Sequence, residues 1–173
     1  MLKLCDYVVK ESLSMSKQIL FILLILSQLL LISCGESYVF EKTYNLEKSE
    51  WKYDNTLDYT FEITDTTQVY NLLLEVSHSI DYSYQNCYLK IYTQFPSGEK
   101  TDYLLSVDLA DGIGRWQGDC SGESCTTLFD IAKQTTFKEL GKHTITLEQY
   151  MRKNPLKEIE SLAIKLEEAK VRE

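Results

Sequence analysis

Short segments in which apolar and polar side chains alternate run through most of the chain beyond residue 57. In the first segment, Tyr59, Phe61 and Ile63 alternate with charged or hydroxyl-bearing residues. Such period-two alternation predicts a β-strand with one buried and one solvent-facing side. Comparable segments follow at 70–77, 86–95, 103–109, 144–148 and 161–167, and turn residues separate them.

With a possible edge strand at 38–46 and the ambiguous segment 126–140, the expected number rises to seven to nine strands, which predicts an all-β fold, a two-layer antiparallel β-sandwich of the jelly-roll-like kind. No helical stretch recurs between the strands, which argues against a parallel β-α-β arrangement. Residues 126–140 fit either a strand or one face of a helix. No linker divides the chain, so residues 34–173 are predicted to form a single domain with a frayed, charged C-terminus from Glu168 onward.

The N-terminus has a different character. An apolar run of about 14 residues at 19–32 is too short to cross a bilayer, which takes about 20, but suits a secretory signal. The run ends in Ser33 and Cys34, a pattern that resembles a lipobox, in which the cysteine thiol receives diacylglycerol after cleavage. We therefore predict a helical signal peptide at 1–33, with Met15 as an alternative start, and a lipid on Cys34. The alternatives are an ordinary signal peptide and an uncleaved anchor helix.

Charge restricts the classes of partner. Without its first 33 residues the chain carries 15 basic and 24 acidic residues, a formal net charge of −9. Such a surface repels nucleic acid and anionic lipid. We therefore expect no nucleic-acid partner, and we expect the acyl chains rather than the protein surface to contact the membrane.

The five cysteines have different predicted roles. Cys5 lies in the segment that is predicted to be removed, and Cys34 is the predicted lipid site. Cys120 and Cys125 flank a short glycine-containing loop and are predicted to form a disulfide in an oxidising compartment, the alternative being two free thiols. Cys87 lies in a strand pattern and is predicted to be a small buried residue. No spacing typical of a zinc site is present.

No constellation of catalytic residues stands out. The two histidines, His78 and His143, both lie in strand patterns, where a lone histidine is usually structural. The sequence contains neither G-x-S-x-G nor a glycine loop followed by Lys and Ser or Thr. Asp108, Asp111 and Asp119 lie near turns and could surround a calcium ion, but their spacing matches no EF-hand. We expect no enzymatic activity, no cofactor, no metal and no small-molecule ligand.

Aromatic residues are the remaining candidates for binding, since the chain has twelve tyrosines. Tyr88 and Tyr92 are predicted to face away from the side that carries Leu89 and Ile91, and Trp116 lies in a loop between glycines. Exposed rings of this kind can anchor a protein partner or stack on sugars. The alternative is that the tyrosines cover a sheet contact or edge and that Trp116 caps the core.

Beyond these patterns, five segments resemble the gliding motility lipoprotein GldH family. They are YSYQNCYLKI (82–91), PSG (96–98), LADGIGRWQG (109–118), FKELGKHTITLEQYMR (137–152) and PLKEIESLAIKLE (155–167). Together with the lipobox they cover nearly all of the chain after the signal peptide. The order and spacing of these segments, rather than any single motif, carry the resemblance.

The resemblance implies a cell-envelope lipoprotein that is needed for surface gliding, a motility that also depends on a dedicated secretion system. It implies no catalytic residues or cofactor, and only Cys34 carries over as a modified site. His143 stands where an aromatic residue is expected, and Cys120 and Cys125 are peculiar to this chain. Gly35 takes the place of the aspartate that retains many lipoproteins at the inner membrane, which favours the outer membrane with the domain facing the periplasm. Docking onto gliding or secretion proteins is the leading hypothesis, and glycan binding is the alternative.

Overall fold

The computed structural model describes residues 38–169. The predicted signal peptide at 1–33, the alternative start at Met15, the lipid site at Cys34 and the last four residues of the predicted frayed tail lie outside the described residues. No helix within residues 38–169 is long and apolar enough to span a membrane.

Strands form nearly all of the regular structure between residues 38 and 169, and one 3₁₀ turn lies at Glu47–Ser49. The strands are β1 (Tyr38–Asn45), β2 (Glu50–Trp51), β3 (Leu57–Ile63), β4 (Tyr70–Ser79), β5 (Asn86–Gln94), β6 (Lys100–Asp108), β7 (Asp119–Ser121), β8 (Ser124–Thr135), β9 (Gly141–Gln149), β10 (Leu156–Lys157) and β11 (Ile159–Glu168).

The long strands form two antiparallel sheets. The first has the order β1-β11-β4-β8-β7 and the second the order β3-β9-β5-β6, while β2 and β10 pair separately. When the short strands β2, β7 and β10 are set aside, the first of eight strands pairs with the eighth, the second with the seventh, the third with the sixth and the fourth with the fifth. This nested pairing is that of a jelly roll. The predicted all-β sandwich is therefore confirmed.

The core lies between the two sheets, and the alternation in the sequence explains which side chains enter it. In β3 every second residue from Leu57 to Ile63 is buried and the residues between them are exposed. Tyr59 is fully buried, and its hydroxyl donates a hydrogen bond of 2.9 Å to the Leu162 carbonyl on the opposite sheet. Trp51 is also fully buried, and its Nε1–H donates to the Asn55 carbonyl at 2.8 Å.

Three details of the strand assignment differ from, or complete, the prediction. Of the two possibilities for residues 126–140, the strand is correct, since β8 extends to Thr135. Tyr103 alternates in phase with Leu105 and Val107, which predicts the buried side of the strand, but it is 42% exposed because β6 is the last strand of its sheet and has a neighbour on one side only. Fraying was expected from Glu168 onward, but Glu168 belongs to β11, and the buried Ala169 donates its N–H to the Val69 carbonyl at 2.8 Å.

Candidate interaction surface

Tyr88 and Tyr92 both lie on the outer face of the second sheet. Their neighbours Cys87, Leu89 and Ile91 point into the core, so the pleat of β5 directs the two tyrosines outward. Tyr88 is 46% exposed. This placement confirms the expected direction of both side chains.

The hydroxyl of Tyr92 is already engaged within the sheet. It donates to Glu148 Oε2 at 2.7 Å, and the Lys90 ammonium lies 4.9 Å from the centre of its ring. The hydrogen bond to the Glu148 carboxylate raises the pKa of Tyr92. Tyr92 is half-buried and therefore offers a partner less free surface than Tyr88 does.

A groove of about 570 Å³ lies beside Tyr88 on the same outer face. Its lining is mostly apolar, and it consists of Tyr84, Asn86, Tyr88, Leu104, Tyr150, Met151, Arg152 and Lys153. A second depression of about 440 Å³ shares Tyr150 and Met151 with it and also includes Tyr53. Leu104 is 57% exposed, Tyr150 53% and Tyr53 43%. We call Tyr53, Tyr88, Leu104 and Tyr150 the tyrosine patch.

Hydrogen bonds to strand backbone position the residues of the tyrosine patch. The Tyr150 N–H donates to the Tyr88 carbonyl at 2.8 Å, which continues the β5–β9 pairing by one more residue. The Tyr53 hydroxyl donates to the Met151 carbonyl at 2.8 Å. The patch is therefore built on fixed backbone, which lowers the conformational entropy that binding a partner would cost.

The buried amide of Gln149 holds the segment that follows β9. Gln149 is only 1% exposed; its Nε2 donates to the Lys153 carbonyl at 2.9 Å, and its Oε1 accepts the Met151 N–H at 3.0 Å. These two bonds curl residues 150–153 over the sheet. Tyr150 and Arg152 are exposed as a result.

Sequence reasoning singled out Tyr88 but not the other three members of the tyrosine patch. Tyr150 continues the outward side of β9 after Glu148, and Leu104 occupies an outward position of β6, so alternation could have identified both. Tyr53 lies in the turn after β2, where no periodicity is available to indicate it.

Trp116 lies in a different environment from Tyr88 and Tyr92. Its ring centroid is 4.6 Å from that of the buried His78 and 6.4 Å from that of Tyr82, and the side chain is half-buried. The loop around it approaches β8 closely, since a Cβ on Gly118 would lie 2.2 Å from the Thr126 carbonyl oxygen. Among the described residues no ring contact joins Trp116 to Tyr88 or Tyr92, and the contacts of Trp116 are those of a loop that covers the core.

Cys120 and Cys125 are opposite one another on β7 and β8, and their sulfur atoms are bonded at 1.95 Å. Cys125 is fully buried, whereas Cys120 is exposed. Formation of this bridge in the cell remains a prediction. Cys87 is 1% exposed, as predicted, and burial raises the pKa of its thiol to about 12, so the nucleophilic thiolate is disfavoured at neutral pH.

Both histidines lie in the core. The His78 Nδ1 is 2.8 Å from the Ser79 carbonyl oxygen, and the His143 Nδ1 is 3.1 Å from that of Gly141, so Nδ1 carries the proton in each ring. The Nε2 atom of each is buried without a hydrogen-bond partner. The expectation that both histidines are structural is consistent with this burial.

Of the three aspartates that were considered for calcium, Asp111 makes local contacts within its own turn. Asp111 Oδ1 accepts the N–H groups of Ile113 and Arg115 at 3.0 and 2.9 Å, and its Oδ2 accepts Arg115 Nε–H at 2.8 Å. These hydrogen bonds, those from Arg115 first, lower the pKa of the Asp111 carboxyl. Between residues 38 and 169 no group of three or more His, Cys, Asp or Glu side chains is arranged to hold a metal ion.

Comparison with known proteins identifies related sequences. A family described as GldH lipoprotein matches residues 38–166. The chain is 28% identical over 126 residues to a gliding motility lipoprotein GldH homolog from Christiangramia forsetii, covering 73% of this chain and 76% of that protein. It is 25% identical over 132 residues to gliding motility lipoprotein GldH from Flavobacterium johnsoniae, covering 76% of this chain and 81% of that protein.

Similarity to solved structures is much weaker. A fructofuranosidase from Schwanniomyces occidentalis, solved in complex with fructosylnystose, has a TM-score of 0.38 and 11% sequence identity. The match covers 79% of this chain and 35% of the enzyme. Similarity at this level carries no information about function.

Proposed function

This chain belongs to the GldH lipoprotein family, and from that premise we propose that it is a non-enzymatic component of the gliding machinery that binds another protein through the tyrosine patch. Its relatives are gliding motility lipoproteins, which supports a role in gliding and a lipid-anchored place in the cell envelope. We infer docking, and the surface used for it, from the geometry of the outer face of the second sheet.

The exposed tyrosine patch is the observation that carries the proposal. Tyr53, Tyr88, Leu104 and Tyr150 are each more than 40% exposed and line two adjoining depressions. Tyrosine is enriched at protein interfaces because its ring buries apolar area while its hydroxyl stays hydrogen-bonded. Contiguous exposed apolar surface of this kind is typical of an interaction site.

Two cations at the rim of the groove suggest the chemistry of the partner. Arg152 and Lys153 are exposed, and no ion pair within residues 38–169 engages either of them. By contrast, Lys90 on the same face is bound to Asp102 at 3.1 Å. We therefore expect the partner to insert apolar side chains into the groove and to place acidic residues at the rim that contains Arg152 and Lys153.

Glycan binding is the less favoured alternative. A stacking platform of Tyr88, Tyr92 and Trp116 would need the three rings to share one surface. Trp116 instead packs on His78 and Tyr82, and Tyr92 is bound to Glu148. Docking of a protein needs only the residues of the tyrosine patch, which are already exposed together on one surface, and it is the function that we propose.

The proposal includes an anchor on Cys34 in the outer membrane, with the domain in the periplasm. Replacement of Cys34 by alanine should release the protein from the membrane fraction and abolish colony spreading, whereas protease added to intact cells should leave the wild-type domain uncut. Cleavage in intact cells would instead indicate a surface-exposed domain, and recovery at inner-membrane density would contradict the outer-membrane anchor.

Site-specific photo-crosslinking in the native host tests the docking surface. A photoreactive phenylalanine analogue at Tyr88 or Tyr150 should yield adducts with a gliding or secretion protein. The same analogue at Leu128, which is 44% exposed on the outer face of the other sheet, is the matched control and should yield none. Equal adducts at all three positions, or none at Tyr88 and Tyr150 in spreading cells, would rule out this surface.

A further inference from the structure

Strand β6 is an open edge of the second sheet. It follows β5 as the last strand in the order β3-β9-β5-β6, and it pairs with β5 in nine consecutive positions without a bulge. Residues 100–104 are all exposed, including Tyr103 at 42% and Leu104 at 57%. Natural proteins usually protect such an edge with a bulge, a proline, charged side chains or a covering segment, because unpaired backbone groups there can pair with another strand. Strand β6 has neither a bulge nor a proline, and its charges are Lys100, Asp102 and Asp108.

Hydrogen bonds at the two ends of the β5–β6 pair establish which residues of β6 have free backbone groups. The Phe95 N–H donates to the Glu99 carbonyl at 2.9 Å, and the Leu109 N–H donates to the Gln85 carbonyl at 2.8 Å. Because bonded and non-bonded pairs alternate along an antiparallel ladder, the odd-numbered residues of β6 direct their N–H and C=O groups to β5. The even-numbered residues direct theirs to the open edge: Lys100, Asp102, Leu104, Ser106 and Asp108.

These five residues are complementary to a second copy of themselves. In an antiparallel pair of two β6 strands centred on Leu104, this leucine faces its own symmetry mate. Asp102 then faces Ser106, and Lys100 faces Asp108 at both ends of the strand pair. All five residues whose N–H and C=O groups face the open edge thereby fall in hydrogen-bonded pairs, which allows about ten N–H···O hydrogen bonds between the copies.

We propose that two copies of this chain associate through β6 around a two-fold axis at Leu104, so that their second sheets join into one continuous sheet of eight strands. The two Leu104 side chains would lie side by side on the outer face, where they remain part of the tyrosine patch, and each Tyr103 would lie opposite the partner's Leu105. A two-fold interface requires one surface to complement itself, and the placement of Lys100 and Asp108 meets this requirement. The Asp102 carboxylate, which would face Ser106 of the other copy, is bound to Lys90 of its own chain at 3.1 Å and therefore adds no unpaired charge to the strand pair.

The other sheet edges are less suited to this pairing. The side on which β1 approaches β3 is closed by side chains, since Lys42 Nζ and the Tyr44 hydroxyl donate to the Asp58 carbonyl at 2.8 and 2.9 Å. Strand β1 also has a register shift near Tyr38. Strand β7 at the far edge of the first sheet has three residues only. Self-association is therefore expected at β6.

Charge exchange on the full-length protein tests the proposal. In sedimentation equilibrium at up to ~100 μM in detergent micelles, we expect a reversible dimer with a Kd in the micromolar range, since one strand pair buries less than ~1,200 Å². K100E and D108K should each raise the Kd at least ~10-fold, because each variant places two like charges opposite one another at both ends of the strand pair. The double variant K100E/D108K should restore the Kd to within ~3-fold of the wild-type value.

This rescue cannot come from contact within one chain, because Lys100 and Asp108 lie at opposite ends of β6, roughly 26 Å apart. Val39→Lys, at an exposed position on the edge strand β1, is the matched control and should leave the dimer unchanged. Monomeric wild-type protein, or a dimer that responds equally to Val39→Lys, would overturn the proposal. So would a double variant no tighter than the single variants.

Cysteine coupling tests the register. Leu104→Cys should form a disulfide-linked dimer under mild oxidation, because the two symmetry-related positions face one another. Ser106→Cys should couple far less, because its two copies would be offset by four residues, or roughly 13 Å. Equal coupling of both variants would exclude an axis at Leu104. These measurements do not depend on whether the tyrosine patch binds a gliding protein.

Discussion

The hydroxyl of Tyr59 connects the two sheets, and its removal should destabilise the protein in a pH-dependent way. Tyr59→Phe keeps the buried ring but removes the 2.9 Å bond to the Leu162 carbonyl. At pH 8 we expect the free energy of unfolding to fall by about 1.4 kcal/mol, the net contribution of one hydrogen bond plus part of the cost of a weakened carbonyl partner.

The loss should disappear at high pH. Burial, and secondarily the nearby Tyr44, raises the pKa of Tyr59 in the folded state above the ordinary value of 10.0. The stability from this shift is fully present below pH 10 and is lost as the pH rises further, because the unfolded chain then releases a proton that the folded chain keeps. At pH 11 the titration of Tyr59 in the unfolded chain has lowered the free energy of unfolding of the wild type by about 1.4 kcal/mol. The free energy of unfolding of Tyr59→Phe has no such contribution.

The two stability curves should therefore cross near pH 11. Urea unfolding of the purified proteins between pH 8 and pH 11.5 measures both curves, and contributions from Tyr82 and Cys87 cancel in the difference. Ile145→Val removes one buried methylene without a titratable group, so its loss of about 1 kcal/mol should stay constant with pH. A difference between wild type and Tyr59→Phe that is equally constant would refute this reasoning.

Three further variants test loops and core. Gly118→Ala should lower the free energy of unfolding, measured in urea, by at least ~2 kcal/mol more than Gly122→Ala does. Both glycines have positive φ, but only at Gly118 would the new Cβ meet backbone, 2.2 Å from a carbonyl oxygen. Equal losses in the two variants would contradict the close approach of this loop to β8. Replacing Cys120 and Cys125 by alanine should lower the free energy of unfolding by up to about 2 kcal/mol, as expected for a six-residue loop. The same variant should lose any effect of a reductant on the thermal midpoint. A wild type whose midpoint is insensitive to reductant would show that no bridge forms. His143→Phe should raise the midpoint, because it removes a buried, unpartnered Nε2 from a site ringed by phenylalanines, and a lower midpoint would indicate that the Nδ1 bond contributes more.

The sandwich could be predicted from sequence because its strands alternate regularly on the face that packs. Every second residue is buried in β3, in β5 from Cys87 to Ile91 and in β9 from His143 to Gln149, so periodicity alone indicated the inner face. The same reasoning failed for Tyr103, whose burial depends on a neighbouring strand that β6 lacks. Lys165, on the outer side of β11, is only 8% exposed because Glu41 and Glu75 bind it at 3.1 and 2.8 Å, and alternation alone could not indicate this burial.

The interaction surface was less predictable because distant parts of the chain build it. Tyr53 and Tyr150 line the same depression only because of the fold. The buried amide of Gln149, which curls residues 150–153, has no sequence signature that would reveal this role. Trp116 shows the opposite difficulty. A tryptophan between glycines resembles an exposed anchor in sequence, whereas its glycine at 118 serves the close approach of the loop to β8.

The first strand begins at Tyr38, only four residues after the predicted lipid site at Cys34, and it is paired along its length with β11. Four residues of extended chain reach at most ~14 Å. An acylated Cys34 would thus leave the jelly roll without a stalk, resting against the headgroups of its bilayer. Any component that engages such a protein would have to come to the membrane surface to do so, because a tether of ~14 Å cannot carry the domain away from its bilayer.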